Sequence, residues 1–164
     1  MVYYHRENVI ARDATVEDIA ILKDSLRKSD INELWASHHI TPEKALLTSY
    51  EKTTFCVTVE IDKEPIGMMG ICPDTLIGNA ACIWMLSSEK LDKVRRAFAK
   101  HSRKYIKILL NQYPLLYNWV DARNKQSIKW LRWCGAEIYE AMPYGVEQMP
   151  FYYFEFRRKQ CAGC

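Results

Sequence analysis

The stretch from residue 80 to residue 120 constrains the fold more than any other part of the chain. Residues 80–86 form a compact apolar run of strand length. From residue 89 to 112 the apolar spacing becomes helical. Leu91, Val94, Phe98, His101, Tyr105, Ile108 and Leu109 fall within about 100° of a helical wheel. Lys93, Arg96, Lys100, Arg103, Lys104 and Lys107 fall on the opposite side. Residues 115–120 then read as a strand buried on both faces. Strand, long helix and strand make a crossover, and the helix needs a sheet to pack on. Burying Leu91, Val94, Phe98, Ile108 and Leu109 would contribute roughly 10 kcal/mol gross, at ~1.5–3 kcal/mol per side chain.

The flanks extend this pattern. Residues 9–12 are a short strand candidate. Thr15 precedes Val16-Glu17-Asp18-Ile19, an N-cap followed by acids, which predicts a helix over about 16–28. A second helix runs through Ile31, Leu34 and Trp35, and a third starts at Pro42, which suits a first helical position. The pair His38-His39 has no partner at metal-ligand spacing and reads as a loop or helix end. Phe55, Val57, Val59 and Ile61 alternate with Cys56, Thr58 and Glu60, a strand period. Asp62-Lys63-Glu64-Pro65 turns the chain into a partner strand over 66–71, and 80–86 completes an antiparallel meander. Residues 124–134 are a helix that Gly135 ends, and 138–142 with 151–156 make a last strand pair. The fold class is α+β, or mixed α/β: a central, mostly antiparallel sheet with helices on both faces.

Composition narrows the classes. At 164 residues the chain is about one domain long, assigned to 1–157, with 158–164 as a flexible tail. An apolar share of 49% against 26% charged excludes wholesale disorder. No apolar run approaches ~18 residues, so no membrane span is expected, and the N-terminus lacks an apolar signal region. Cys56, Cys72, Cys82 and Cys134 sit in apolar stretches and read as small core residues in a reducing compartment. Cys161 and Cys164 form a C-x-x-C with no helix after it and no further ligand pair, so the tail is read as having no function. The five Trp residues read mostly as core, with Trp130 and Trp133 spaced to face one way. Net charge is +3, but residues 1–64 carry −4 and residues 65–164 carry +7. Most of that excess lies between 88 and 112. Its plain reading is a solvated helix face; charge alone also admits an anionic partner there, whether nucleic acid, an acidic protein or a phosphate-bearing ligand.

Two patterns carry a family resemblance. Ile10-Ala11-Arg12-Asp13-Ala14-Thr15-Val16-Glu17-Asp18 resembles the first strand and helix of the GCN5-related N-acetyltransferase (GNAT) superfamily. Leu115-Leu116-Tyr117-Asn118-Trp119-Val120, the helix from Asn124 and its terminal Gly135 resemble that superfamily's second half. The resemblance implies a strand that splays from its neighbour, with Asn124 near the coenzyme A arm. A narrower resemblance covers about residues 80–157. Cys82-Ile83-Trp84-Met85-Leu86-Ser87-Ser88, the basic helix, Tyr117-Asn118-Trp119-Val120 and Ile128-Lys129-Trp130-Leu131 look like the internal virion protein A family of T7-like podophages. It implies a role in virion assembly, with phage structural proteins as partners, in the bacterial cytoplasm or associated with the virion.

An acetyl-CoA-dependent enzyme must neutralise a pyrophosphate. The superfamily uses a Q/R-x-x-G-x-G/A loop whose bare amides point at phosphate from a helix N-terminus. The matching stretch is Ser87-Ser88-Glu89-Lys90-Leu91-Asp92-Lys93, with no Gly and with two acids in the first turn. Ser87, Ser88, Lys90, Lys93 and Asn124 are the residues left to hold acetyl-CoA. The position where the family carries a proton-donating Tyr matches Leu131. Tyr105, Tyr117 and Tyr139 are substitutes by type only, and Glu60 reads as a solvent-facing strand acid. Two expectations follow: a virion-assembly protein without conventional acetyltransferase catalysis, or an N-acetyltransferase with an atypical pyrophosphate loop.

Overall fold

The computed structural model describes residues 1–75 and 78–158. Cys161 and Cys164 lie outside them. In chain order the elements are β1 (Val2–Arg6), β2 (Val9–Asp13), α1 (Val16–Leu22), α2 (Lys28–His38), α3 (Pro42–Lys52), β3 (Phe55–Ile61), β4 (Glu64–Pro73) and β5 (Ala80–Ser87). A 3-10 turn (Glu89–Val94) leads into α4 (Arg95–Gln112), followed by β6 (Leu115–Asp121), α5 (Lys125–Cys134), β7 (Glu137–Tyr144) and β8 (Met149–Arg157). The strands form one sheet in the order β1-β2-β3-β4-β5-β6-β8-β7. Neighbours are antiparallel except β5 and β6, which α4 joins as a parallel pair.

Side-chain alternation sorts the core into two layers. Met68, Trp84 and Leu86 turn toward α1–α3, where they meet Ile19, Leu22, Leu26 and Leu46. Ile71, Ile83, Leu116, Phe154 and Phe156 turn the other way, against Ile106 and Leu109 of α4 and Ile128 and Leu131 of α5. Local signals fix the ends. Pro42 opens α3 behind Thr41, whose Oγ1 accepts from Lys44 N–H. Asp62 and Lys63, both at positive φ, close the β3–β4 hairpin between the paired Ile61 and Glu64. Gly135, at φ +95°, ends α5, and the N–H of Ala136 reaches Leu131 O at 3.0 Å.

Several expectations need correction. The N-terminus adds a strand, β1, hairpinned onto β2 through Glu7 and Asn8. The first helix stops at Leu22 rather than near 28. The chain turns so that Arg27 N–H donates to Ser87 O at 2.8 Å. The long helix is broken into a 3-10 turn and α4. Within α4, Ser102, Ile106 and Leu109 are buried while Ile108 is 51% exposed, because α4 packs on the side of its apolar arc that carries Leu109 and Ile106. Glu60 is buried, not solvent-facing. Its carboxylate accepts from Arg12 Nε at 2.9 Å, and Arg12 also grips Asp18 at 2.8 Å. Trp35 and Trp133 are exposed and the other three Trp are half-buried, because Trp35 stacks on His39 and Trp133 packs beside Arg103 rather than under a sheet. Cys134 is buried and Cys56, Cys72 and Cys82 are half-buried; all four thiols are free. Burial pushes the Cys56, Cys82 and Cys134 thiols up to about 12, which keeps them unreactive.

Candidate functional site: the split between β5 and β6

β5 and β6 pair over only three rungs, Ala80 with Leu115, Ala81 with Leu116 and Cys82 with Tyr117. Beyond Cys82 they part, while each keeps its other neighbour: Met85 still pairs with Met69 and Val120 with Tyr152. Asn118 stands at the fork. Its Nδ2 donates to Ile83 O at 2.8 Å and its Oδ1 accepts from Trp119 N–H at 2.7 Å. Odd-numbered residues of β5 direct their backbone groups toward β6, as Asn79 O does in accepting from Leu115 N–H. By the same parity Met85 turns its N–H and C=O into the opening.

The far end of the split is clasped by α2. Asp30 Oδ2 accepts from Ser87 N–H at 2.9 Å at the end of β5, and Arg27 Nη2 pairs with Asp30 at 2.8 Å. One turn on, Glu33 Oε2 accepts from Asp121 N–H at 3.1 Å at the end of β6 and from Asn124 Nδ2 at 3.3 Å. Asp121 is itself bound by Arg123, whose Nη2 lies at 2.5 Å. The Glu33 stem is half-buried but its head is enclosed. Burial raises its pKa to about 7; the Asp30 and Asp121 charges add to the shift, and the two hydrogen bonds only partly offset it. Burial raises the Asp30 carboxyl as well, against Arg27 and the Ser87 N–H.

The expected site residues take the following places. Ser87 is fully buried, and its Oγ has no partner among the described residues. Ser88 is buried, and its N–H and Oγ both donate to Ile66 O, at 2.8 and 3.2 Å. Lys90 Nζ pairs with Glu64 at 2.5 Å, and Lys93 is exposed. Asn124 caps α5, its Oδ1 accepting from Ser127 N–H at 3.2 Å. Asp92 accepts from Gln126 Nε2, tying the 3-10 turn to the first turn of α5. Leu131 is core. Tyr105 donates to Tyr3 O, Tyr117 to Asp74 and Tyr139 to Glu155, at 2.8, 2.6 and 2.8 Å. The fold thus brings Ser87 and Asn124 to opposite lips of one split, and it spreads the three Tyr over α4, β6 and β7. Asp30, Glu33, Asn118 and Asp121 were not anticipated. Only the acids three apart on α2 hinted at them, and ordinary surface helices carry such pairs.

Solved structures with a similar fold include acetyltransferases. Ard1 from Thermoplasma volcanium matches with a TM-score of 0.69 at 12% identity, over 94% of this chain and 100% of that one. The ribosomal-protein-S5-alanine acetyltransferase from Vibrio fischeri matches at 0.67 and 12%, over 99% and 100% of the two chains. Spermidine N-acetyltransferase from Vibrio cholerae, solved with CoA and spermine, matches at 0.65 and 14%, over 93% and 96%. The molecule therefore has the GNAT acetyltransferase fold; at such identities the likeness concerns the fold alone. Residues 55–142, more than half of the chain, match the family described as Bacteriophage T7, probable scaffold protein Gp13, and the chain belongs to that family. The probable scaffold protein gp13 of Escherichia phage T7 is 30% identical over 108 residues, 64% of this chain and 75% of that protein.

Proposed function

We propose that this protein acts in phage virion assembly, using the acetyltransferase fold as a framework for protein contacts and without conventional acetyl transfer. It would work in the bacterial cytoplasm during assembly or within the virion, with phage structural proteins as partners. Membership of the Gp13 family supports the setting. The observation that carries the absence of conventional catalysis is the turn after β5. A pyrophosphate held there would need free donors. Ser88 is spent on Ile66 O and Lys90 is paired with Glu64, which leaves the buried Ser87 Oγ and Lys93, and Glu89 and Asp92 add negative charge to the turn. No helix of the described residues is long and apolar enough to cross a membrane.

A second reading is an acetyl-CoA-dependent N-acetyltransferase with an atypical phosphate loop. It draws on the open split, on Met85's backbone groups and on Glu33, a carboxylate with a pKa near 7 that suits a general base. Its coenzyme contacts would be Ser87, Ser88, Lys90, Lys93 and Asn124. Calorimetric titration with acetyl-CoA separates the two. The assembly reading expects no heat of binding up to millimolar coenzyme. A Kd tighter than about 100 μM would favour the enzyme.

A further inference from the structure

The outer surface of α4 and α5 is strongly cationic. Neither Arg95–Gln112 nor Lys125–Cys134 contains a single Asp or Glu. Arg96, Lys100, Arg103, Lys104 and Lys107 form a stripe about 16 Å long on α4. Lys100, Arg103, Lys104 and Lys107 line one open depression. Lys129 continues the stripe on α5, one turn before Trp133. All six cations are exposed, and none forms an ion pair among the described residues. Like charges at i, i+4 destabilise a helix, so folding gains nothing from this arrangement. Trp133 lies beside the middle of the stripe, 58% exposed, with the Arg103 guanidinium 5.7 Å from its ring centroid.

We propose that this surface binds a single strand of nucleic acid without sequence preference, its phosphates lying along the α4 stripe and a base stacking on Trp133. Two observations favour nucleic acid over an acidic protein. Four of the six cations are Lys, a residue depleted from protein interfaces but suited to phosphates. Among the described residues Trp133 and Ile108 are the large apolar side chains exposed on these two helices. Trp133 is an aromatic plane beside a guanidinium, which makes a base platform, and one aliphatic side chain is too little for an apolar interface centre.

The test is fluorescence anisotropy of labelled oligo-dT, about 20 nucleotides long, titrated with the full chain over a salt series. At about 50 mM salt, binding with a Kd of roughly 1–100 μM is expected. Log K should fall against log salt with a slope of about −4 for six phosphate contacts. The triple variant K100Q/K104Q/K107Q should halve that slope, and Trp133→Ala should weaken binding about fivefold or more. K28Q/K44Q, on the opposite helices, should bind as the parent does, and circular dichroism checks that each variant is folded. No binding at 100 μM protein, or binding unchanged in the triple variant, would overturn the proposal. So would polyglutamate competing as well as oligo-dT per charge, which would point to an acidic protein.

Discussion

Among single residues, Glu33 sets a pH dependence whose sign can be worked out. Its carboxyl has a pKa near 7 in the folded chain against 4.5 ordinarily. The native state therefore holds this proton more tightly than the unfolded state. Stability is highest while Glu33 is protonated, declines as pH rises from about 4.5, and has lost this contribution once pH passes about 7. Burial shifts Asp30 in the same direction, and Arg27, Asp121, Arg123 and Asn124 complete the cluster. Urea denaturation at pH 5 and pH 8 should show a less stable protein at pH 8. Glu33→Gln keeps an oxygen for the Asp121 N–H and should narrow that gap. An undiminished gap in the variant would remove Glu33 from the explanation. None of this was legible in the sequence. An acid two positions from Ile31 reads as a surface helix residue until β5 and β6 are seen to end beneath it. Glu60 was misread for the same reason, since its partner Arg12 lies 48 positions away.

Elements with chemistry at their ends were the ones the sequence made plain. Asn124 and Gly135 bracket α5, and Pro42 opens α3, because caps and stops act within one turn. Asn124→Ala should destabilise the protein by about 1–2 kcal/mol, as the cap is lost and Glu33 gives up a hydrogen bond. Asn124→Ser should recover most of the loss by restoring the cap alone; equal urea midpoints for the two variants would show that the cap contributes little. The phase of α4 was not legible. The apolar arc of its wheel runs from Ile108 to Leu109, with Ile106 just beyond Leu109, and the core covers the Ile106 side of that arc rather than the Ile108 side. β1 escaped notice because an edge strand needs only one neighbour, and Val2–Arg6 buries little of itself.

Across the molecule, the β7–β8 turn ties the end of the chain back to α2. Val146 N–H donates to Ser37 O and Glu147 N–H to Ala36 O, at 3.1 and 3.0 Å. Gly145 makes the approach feasible. Its φ is +74°, and a Cβ there would lie 2.5 Å from Ser37 Cα. At Gly135 an added Cβ meets open space. Gly135→Ala should therefore cost about 1 kcal/mol through backbone strain, whereas Gly145→Ala should cost more than about 2 kcal/mol. The reverse order in urea denaturation would mean that the turn does not hold α2. The overall layering was legible because periodicity reports which face is buried. The clasp of α2 over the split was not, because it joins residues far apart in the chain. The fork itself has one more consequence, which follows from Asn118. Its amide fills a vacant peptide slot, donating across to Ile83 and accepting from the next N–H of its own strand. Slipping β6 by one residue would put Trp119 in that slot, and an indole has no acceptor to offer. Slipping the other way would put Tyr117 there, whose lone hydroxyl sits at the far end of a ring. A single carboxamide thus fixes both the aperture between the strands and the alignment of everything beyond it.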